Sequence, residues 1–417
     1  MKVKITKPSV LKGTISISGS KNTVLPLIAC AVCTHEEVIL KNVPWISDVL
    51  NMMKISSHAK GKIDYNPITK ELKLQYKKIN NKILCKETNK LRASYYFIGA
   101  ILSRSKKIII NYPGGCNFTS RPIDYHLKAF KQIGYEVKEE KNIINLKRKY
   151  IKAKKIKIQF PKPSVGATIN CILASVKSKK IIEIYNYSSE PDVLTVIDML
   201  NLMGANILIY KDKIKIYGVK KLHGITYQVP FDRIEAGSYM ILASSIPNSK
   251  VTIQNINPKQ LTKIIEILEE MNVKIKIRKD NLTIEAPEEL KPTKVITGTY
   301  PAFPTDLQQI LLILMLKAKG TSQIIDTIYP GRISQIKPLQ DKGANVYIEN
   351  EKIIINGIND FNITELKAFD LRGGFSLIVL AMLMPYLIID NFELVKRGYE
   401  EIEKKLKKLQ IRFEKEI

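Results

Sequence analysis

The sequence predicts an α/β (α+β) protein of two domains, assembled from about six copies of one supersecondary unit, three to a domain. Two observations lead there. A helix–turn–hairpin pattern recurs along the chain, and the 417 residues exceed the roughly 250–300 at which a single core stops growing. An apolar content of 45% is enough to fill both cores.

Each copy reads as an amphipathic helix that ends at a Gly-like residue and is followed by two short alternating strands. Met203-Gly204-Ala205-Asn206 leading to Gly218 and Lys342-Gly343-Ala344-Asn345 leading to Gly357 are the same design. Ile133-Gly134-Tyr135 with Asn142–Leu146 repeats it, and so does Met271-Asn272-Val273 with Asn281–Glu285. A degraded copy sits at Gly61–Tyr65 and a truncated one closes the chain near Gln410. In each, Gly or Asn supplies a left-handed helix C-cap, and period-2 alternation then gives a strand, a turn and its hairpin partner. The turns fall about 70 residues apart, too long a period for a solenoid of 20–50-residue repeats, so the units are expected to close into compact domains.

Composition narrows the function classes. No window holds ~18 consecutive apolar residues, and the stretch Met1–Pro8 lacks the apolar segment of a secretory signal, so a cytoplasmic protein without a membrane span is expected. The five cysteines, Cys30, Cys33, Cys85, Cys116 and Cys171, are odd in number and scattered. Cys30 and Cys33 have no second Cys/His pair at metal-ligand spacing, so neither a disulfide framework nor a zinc site is indicated. The net charge of +28 raises nucleic acid as a partner. The lysines, however, spread along the whole chain instead of forming an arm, which fits a solvated basic surface that favours anionic small molecules.

Two segments point to chemistry. Leu11–Ala29 reads as a strand, a Gly19-Ser20 turn and a helix, placing Lys21 and Asn22 at a helix N-terminus, where unpaired N–H groups and the helix dipole favour an anion. An ordinary capped helix is the bland alternative. Tyr112-Pro113-Gly114-Gly115-Cys116 continues through Asn117–Ser120 to Arg121-Pro122-Ile123-Asp124-Tyr125-His126. It reads as a glycine loop whose tip carries a thiol near positive charge, conditions that favour acid–base and nucleophilic chemistry.

Together with Leu91-Arg92-Ala93-Ser94, Ser164-Val165-Gly166-Ala167-Thr168, Asp232-Arg233-Ile234-Glu235-Ala236-Gly237, Ala302-Phe303-Pro304-Thr305-Asp306 and Arg397-Gly398-Tyr399-Glu400, these segments stand in an order that resembles the UDP-N-acetylglucosamine enolpyruvyl transferases over essentially the whole chain. The shikimate-pathway enolpyruvyl transferases share the repeats but lack the Pro-Gly-Gly-Cys loop.

The resemblance implies a two-domain inside-out α/β barrel, with helices inside and sheets outside. One domain would span 21–229, the other 1–20 plus 230–417, and the active site would lie in the cleft between them. It implies transfer of the enolpyruvyl group of phosphoenolpyruvate to the 3-hydroxyl of UDP-N-acetylglucosamine with release of phosphate, the first committed step of peptidoglycan synthesis. Asp306 then matches the general base and Cys116 the acid that protonates the methylene carbon and the target of fosfomycin. Lys21, Asn22, Arg121, Arg332 and Arg397 match the phosphoenolpyruvate site, where an arginine fork suits oxyanions. Asn22, Arg92, Arg121, Pro122, Ile123, Asp124, Tyr125, Lys162, Pro163, Ser164, Val165, Asp306 and Ile328 match the UDP-sugar site. Ser164 also reads as a helix N-cap. Glu190 matches a supporting position or a surface turn, and His126 reads as structural. No cofactor or metal is expected. The expected partners are the two small-molecule substrates, with no nucleic acid or membrane, in a monomer or weak homo-oligomer.

Several segments depart from the family pattern. Pro330-Gly331 precede Arg332 where a Glu-Asn pair is usual, Ile333-Ser334-Gln335-Ile336 replaces Phe-Met-His-Val, Asp370–Gly374 is richer in glycine, and Val395-Lys396 precede Arg397. Two rival readings follow from these departures: a paralogous enolpyruvyl transferase with another nucleotide acceptor, and a non-catalytic relative that binds nucleotide or nucleic acid in its basic cleft. His35, His58 and His223 carry no constellation in the sequence.

Overall fold

The structure is a computed structural model, and it describes residues 1–114, 123–358 and 362–415. The chain separates into two compact units, Met1–Ser18 with Phe231–Ile417, and Gly19–Pro230. Among the described residues each unit contains three four-stranded sheets.

The sheet from Lys155 to Tyr217 shows how one repeat is built. Strand Lys155–Gln159 pairs in parallel with Ile181–Tyr185 after an intervening helix, Val165–Ser175. Strand Ile181–Tyr185 then pairs antiparallel with Lys213–Tyr217, whose hairpin partner Asn206–Ile209 forms the far edge. Numbered along the repeat, the strand order is first, second, fourth, third, and all six sheets follow it. Burial along Lys155–Gln159 alternates residue by residue, as expected for a sheet with one face on the core and one in water.

Two kinds of helix alternate. In the unit Gly19–Pro230 the helices Lys21–Cys30, Tyr96–Leu102 and Val165–Ser175 are buried almost all round, and Tyr96–Leu102 packs on the other two. In the other unit Arg233–Ala243, Gln308–Met315 and Leu371–Ala381 are buried in the same way and pack on one another. A helix that is apolar on every side belongs in an interior. The helices between second and third strands keep one exposed face, polar in Asp124–Ile133 and Thr262–Glu270 and mixed in Pro191–Leu202, where Leu194 and Leu202 are exposed. Helices inside and sheets outside is therefore the fold of each unit.

The expected left-handed caps are present. Gly134, Gly204 and Gly343 have φ of +115°, +93° and +92°, and Asn272 has +74°. In the degraded copy the left-handed residue is Lys60 at +69°, one position before the expected Gly61, and in the truncated copy it is Gln410 at +66°.

Three sheets are completed by strands distant in sequence. Thr226–Gln228 closes the sheet begun at Val38–Lys41, and Lys12–Ser16 supplies the first strand beside Lys250–Gln254. Val3–Thr6 is an inner strand between Tyr386–Asp390 and Arg412–Lys415. The chain thus leaves one unit after Ser18 and returns to it at Phe231.

Candidate functional site

In the unit Met1–Ser18 with Phe231–Ile417, the candidate residues gather around Asp306. The one-turn helix Thr305–Leu307 leads into the buried helix Gln308–Met315, so the Asp306 carboxylate stands at the positive end of a helix dipole. Arg332 donates from Nη1 to Asp306 Oδ1 at 2.9 Å and to the Thr305 carbonyl at 2.6 Å. Arg372 donates from Nη2 to Asp306 Oδ2 at 3.1 Å. Both arginine side chains are 5% exposed, whereas Asp306 is 25% exposed. The carboxylate faces outward and the cations hold it from behind.

The neighbourhood of Arg372 explains how a guanidinium stays buried. Its plane lies over the Tyr399 ring at 5.3 Å, and Tyr399 stacks on Phe375 at 4.4 Å. Burial works against its charge, but Tyr399, Asp306 and Asp232 outweigh burial and raise its pKa above arginine's ordinary value. Burial pushes the Tyr399 hydroxyl up to about 12, against the pull of Arg372. Asp370 caps the helix Leu371–Ala381 by accepting from the N–H groups of Arg372 and Gly373. Sequence reasoning gave Arg372 no role, because a lone arginine in a glycine-rich segment carries no pattern. Its nearness to Asp306 comes from helices 66 positions apart.

The departures from the family pattern have local explanations. Gln335, within Ile333–Ile336, is buried; it donates to the Gln309 carbonyl at 3.0 Å and accepts from Ser376 at 2.8 Å. It ties two of the buried helices together. Gly374 has no room for a side chain: a Cβ would lie 2.7 Å from Val395 Cγ2. That close approach seats the turn Phe392–Arg397, which carries half-buried Arg397, on the helix of Arg372. Ile328 is half-buried, and its N–H donates to Asp326 Oδ1 at 2.9 Å. The same Asp326 accepts from Thr305 at 2.7 Å, which fixes the turn before Asp306.

In the unit Gly19–Pro230, Ser20 caps the helix Lys21–Cys30, accepting from the Thr23 N–H at 3.2 Å. Lys21 is not an exposed lysine. Its side chain is 14% exposed and pairs with Asp48, 3% exposed, at 3.2 Å. Asn22 beside it is half-buried. Thr23 also donates to Asp192, in the first turn of Pro191–Leu202, where Glu190 occupies the half-buried N-cap position. Asp48 and Asp192 escaped sequence reasoning because they lie in unremarkable helix starts.

A second group surrounds His126. The Arg92 guanidinium lies 5.8 Å over the Tyr95 ring, and Tyr95 packs on His126 with centroids 4.5 Å apart. Asn170 Nδ2 lies 2.9 Å from His126 Nδ1 and donates to the Tyr95 carbonyl at 3.0 Å. Burial and, after it, the Arg92 charge lower the imidazole pKa to about 3, so His126 is neutral and its ring nitrogen can accept from Asn170. Gly166 is required here, since a Cβ would come within 2.5 Å of the Tyr95 hydroxyl.

Ser164 caps the helix Val165–Ser175 through the Ala167 N–H at 3.4 Å; Lys162 and Pro163 before it are exposed, and Val165 is half-buried. Ile123 is buried ahead of the helix Asp124–Ile133, on which Asp124 pairs with Lys128 at 3.5 Å and Tyr125 stacks on Phe160 at 6.4 Å. Cys116, Arg121 and Pro122 lie outside the described residues. The four described cysteines have thiol pKa values raised by burial, so none of them is activated as a nucleophile.

His58, to which the sequence assigns no partner, meets Cys85 and Glu87. One ligand atom from each lies within 4.8 Å of the others. The separation of 27 positions from His58 to Cys85 in the sequence matches no metal-binding spacing, and a hairpin brings them together.

The family model for EPSP synthase (3-phosphoshikimate 1-carboxyvinyltransferase) matches residues 5–406. UDP-N-acetylglucosamine 1-carboxyvinyltransferase 2 of Streptococcus pyogenes is 38% identical over 415 residues, covering 97% of both chains. The Listeria monocytogenes protein of the same name is 38% identical over 398 residues, covering 95% of this chain and 93% of that one. Among solved structures, the enolpyruvyl transferase NikO from Streptomyces tendae superposes with a TM-score of 0.89 at 19% identity, covering 100% of this chain and 99% of the other. EPSP synthase from Acinetobacter baumannii superposes with a TM-score of 0.78 at 17% identity, with full coverage of both; at such identities the two structures speak for the fold. With a family model spanning nearly its whole length and relatives above a third identical end to end, the chain belongs to the EPSP synthase family of enolpyruvyl transferases.

Proposed function

We propose that this chain transfers the enolpyruvyl group of phosphoenolpyruvate to the 3-hydroxyl of UDP-N-acetylglucosamine and releases phosphate, opening peptidoglycan synthesis in the cytoplasm. The relatives named for this reaction over the full length support the reading. The observation that carries it is the Asp306 carboxylate, outward-facing and held by Arg332 and Arg372. A carboxylate offers about four lone-pair positions, so one oriented by guanidiniums can also accept from a sugar hydroxyl.

In the proposed reaction Asp306 accepts the proton of the 3-hydroxyl as its oxygen bonds to C2 of phosphoenolpyruvate, and Cys116 delivers a proton to C3. Loss of a C3 proton to the Cys116 thiolate and cleavage of the C2–O bond to phosphate, which leaves with the proton held by Asp306, then restore the double bond. Lys21, Asn22, Arg121, Arg332 and Arg397 bind the phosphate and carboxylate, with arginine forks matched to both anions. Lys21 is kept in place for this by Asp48. Arg92, Arg121 through Tyr125, Lys162 through Val165 and Ile328 bind the nucleotide sugar, with the N-terminus of Val165–Ser175 toward the diphosphate. Glu190 supports the Lys21 end, and fosfomycin would alkylate Cys116.

The test is phosphate release from phosphoenolpyruvate with and without UDP-N-acetylglucosamine. Sugar-dependent release is expected, falling on the order of 10²-fold or more in Asp306→Asn and Cys116→Ala. Release that ignores the sugar, or survives in both variants, would sink the assignment.

A further inference from the structure

His58, Cys85 and Glu87 have no role in the proposed reaction. His58 ends the helix Ser47–His58, while Cys85 and Glu87 flank the start of the short helix Lys86–Lys90. Their backbones are fixed independently of any ligand. Asn80 donates through its backbone N–H to the Ala59 carbonyl at 3.1 Å, and through Nδ2 to the carbonyls of His58 at 3.1 Å and Lys82 at 2.8 Å. The Cys85 carbonyl accepts from the Thr88 hydroxyl at 2.5 Å. An imidazole nitrogen, a sulfur and a carboxylate oxygen thus converge within 4.8 Å of one another, and a tetrahedral ion with bonds of about 2.0–2.3 Å needs donors roughly 3.5 Å apart. A small side-chain adjustment closes the difference, with a fourth position left to water.

We propose that His58, Cys85 and Glu87 form a binding site for a divalent transition cation of the zinc class. The donor set selects the class. Thiolate and imidazole disfavour magnesium and calcium, which take oxygen ligands, and favour zinc, cobalt or nickel. Charge balance agrees, because a thiolate, a carboxylate and a neutral imidazole together offset two positive charges. Glu87 is buried and 6% exposed. Because a thiol must be deprotonated to ligate, binding breaks the S–H bond, forms a metal–sulfur bond and releases one proton to solvent. Lys54 and Lys86 face the same carboxylate and moderate the affinity.

The site's position gives it a second consequence. Thr88, one residue from Glu87, accepts the Gly114 N–H on its carbonyl at 3.2 Å and donates to Asn111 at 3.1 Å. A Cβ on Gly114 would lie 1.8 Å from the Asn89 carbonyl oxygen, so the helix Lys86–Lys90 and the strand end before Cys116 are in close contact. An ion here would cross-link the end of Ser47–His58 to the turn on which that strand end rests.

The experiment uses the full chain, stripped with a chelator and carrying Cys116→Ser so that the loop thiol cannot bind metal. Titration with cobalt(II) is expected to give one equivalent of a thiolate-to-cobalt charge-transfer absorption, abolished by one equivalent of zinc, with one proton released and a raised unfolding midpoint. Cys85→Ser is expected to remove the absorption, and His58→Ala to weaken binding at least tenfold. His58 is exposed and Cys85 half-buried, so both variants should fold, which circular dichroism checks. Absence of the absorption in the folded parent, or its survival in Cys85→Ser, would overturn the proposal.

Discussion

His126 is a histidine whose burial and neighbours decide its protonation, and this makes a measurable prediction. Its folded pKa is about 3, against about 6.5 in an unfolded chain. Between those values the unfolded state binds the extra proton, so this group costs stability as pH falls below about 6.5, by up to about 1.4 kcal/mol per unit. Urea unfolding at pH 7.5, 6.5 and 5.5 should show wild type losing stability relative to His126→Gln across the lower interval. Parallel curves would mean that the imidazole charges freely in the fold. At Gly166 the prediction concerns space. Alanine would press on the Tyr95 hydroxyl and on His126 Cε1, 2.9 Å from its Cβ, and overpacking of this kind costs about 1–3 kcal/mol, read as a lower urea midpoint. Asp306→Ala should also be destabilising, by about 2–4 kcal/mol, because it leaves two nearly buried guanidiniums without their shared counter-ion. Asp306→Asn keeps an acceptor and is the better variant for separating activity from stability.

At the scale of elements, the six helix-to-hairpin turns make a natural comparison. Three use glycine, one asparagine, and two the ordinary residues Lys60 and Gln410, all with positive φ. A side chain in the left-handed region costs roughly 1 kcal/mol that glycine avoids. Gly204→Ala is therefore expected to destabilise by about 1 kcal/mol, while Lys60→Gly should be neutral or stabilising by up to about 1 kcal/mol. Destabilisation by both would show that the Lys60 side chain contributes contacts that outweigh its backbone cost. These turns also explain why the repeat was legible in sequence: a residue that must take a positive φ leaves a compositional mark, and the alternating strands after it leave a second.

At the scale of the whole molecule, the two chain crossings give the halves different fates when separated. Residues 19–230 contain every strand of their three sheets, including the edge Thr226–Gln228. Residues 231–417 lack the inner strand Val3–Thr6 and the edge Lys12–Ser16. The fragment 19–230 should unfold cooperatively as a compact species. The fragment 231–417 should not, until 1–18 is joined to it, since an inner strand lost exposes two ladders of unpaired backbone groups. Calorimetry of the three fragments checks this, and a cooperative transition in 231–417 alone would contradict it.

What the sequence determined by itself was whatever rests on local physics. The repeat, its left-handed turns and the capped helix starts at Ser20 and Ser164 all follow from residue types read a few positions apart, whereas Asp306 was singled out only by resemblance to a family. The tertiary structure decided what depends on long-range approach. It supplied Arg372 behind Asp306, Asp48 beside Lys21, Asn170 against His126, and the meeting of His58 with Cys85. A single charged or polar side chain carries no periodicity that names its partner. Only the packing of elements distant in sequence assigns partners to such groups and makes the burial of the charged ones stable.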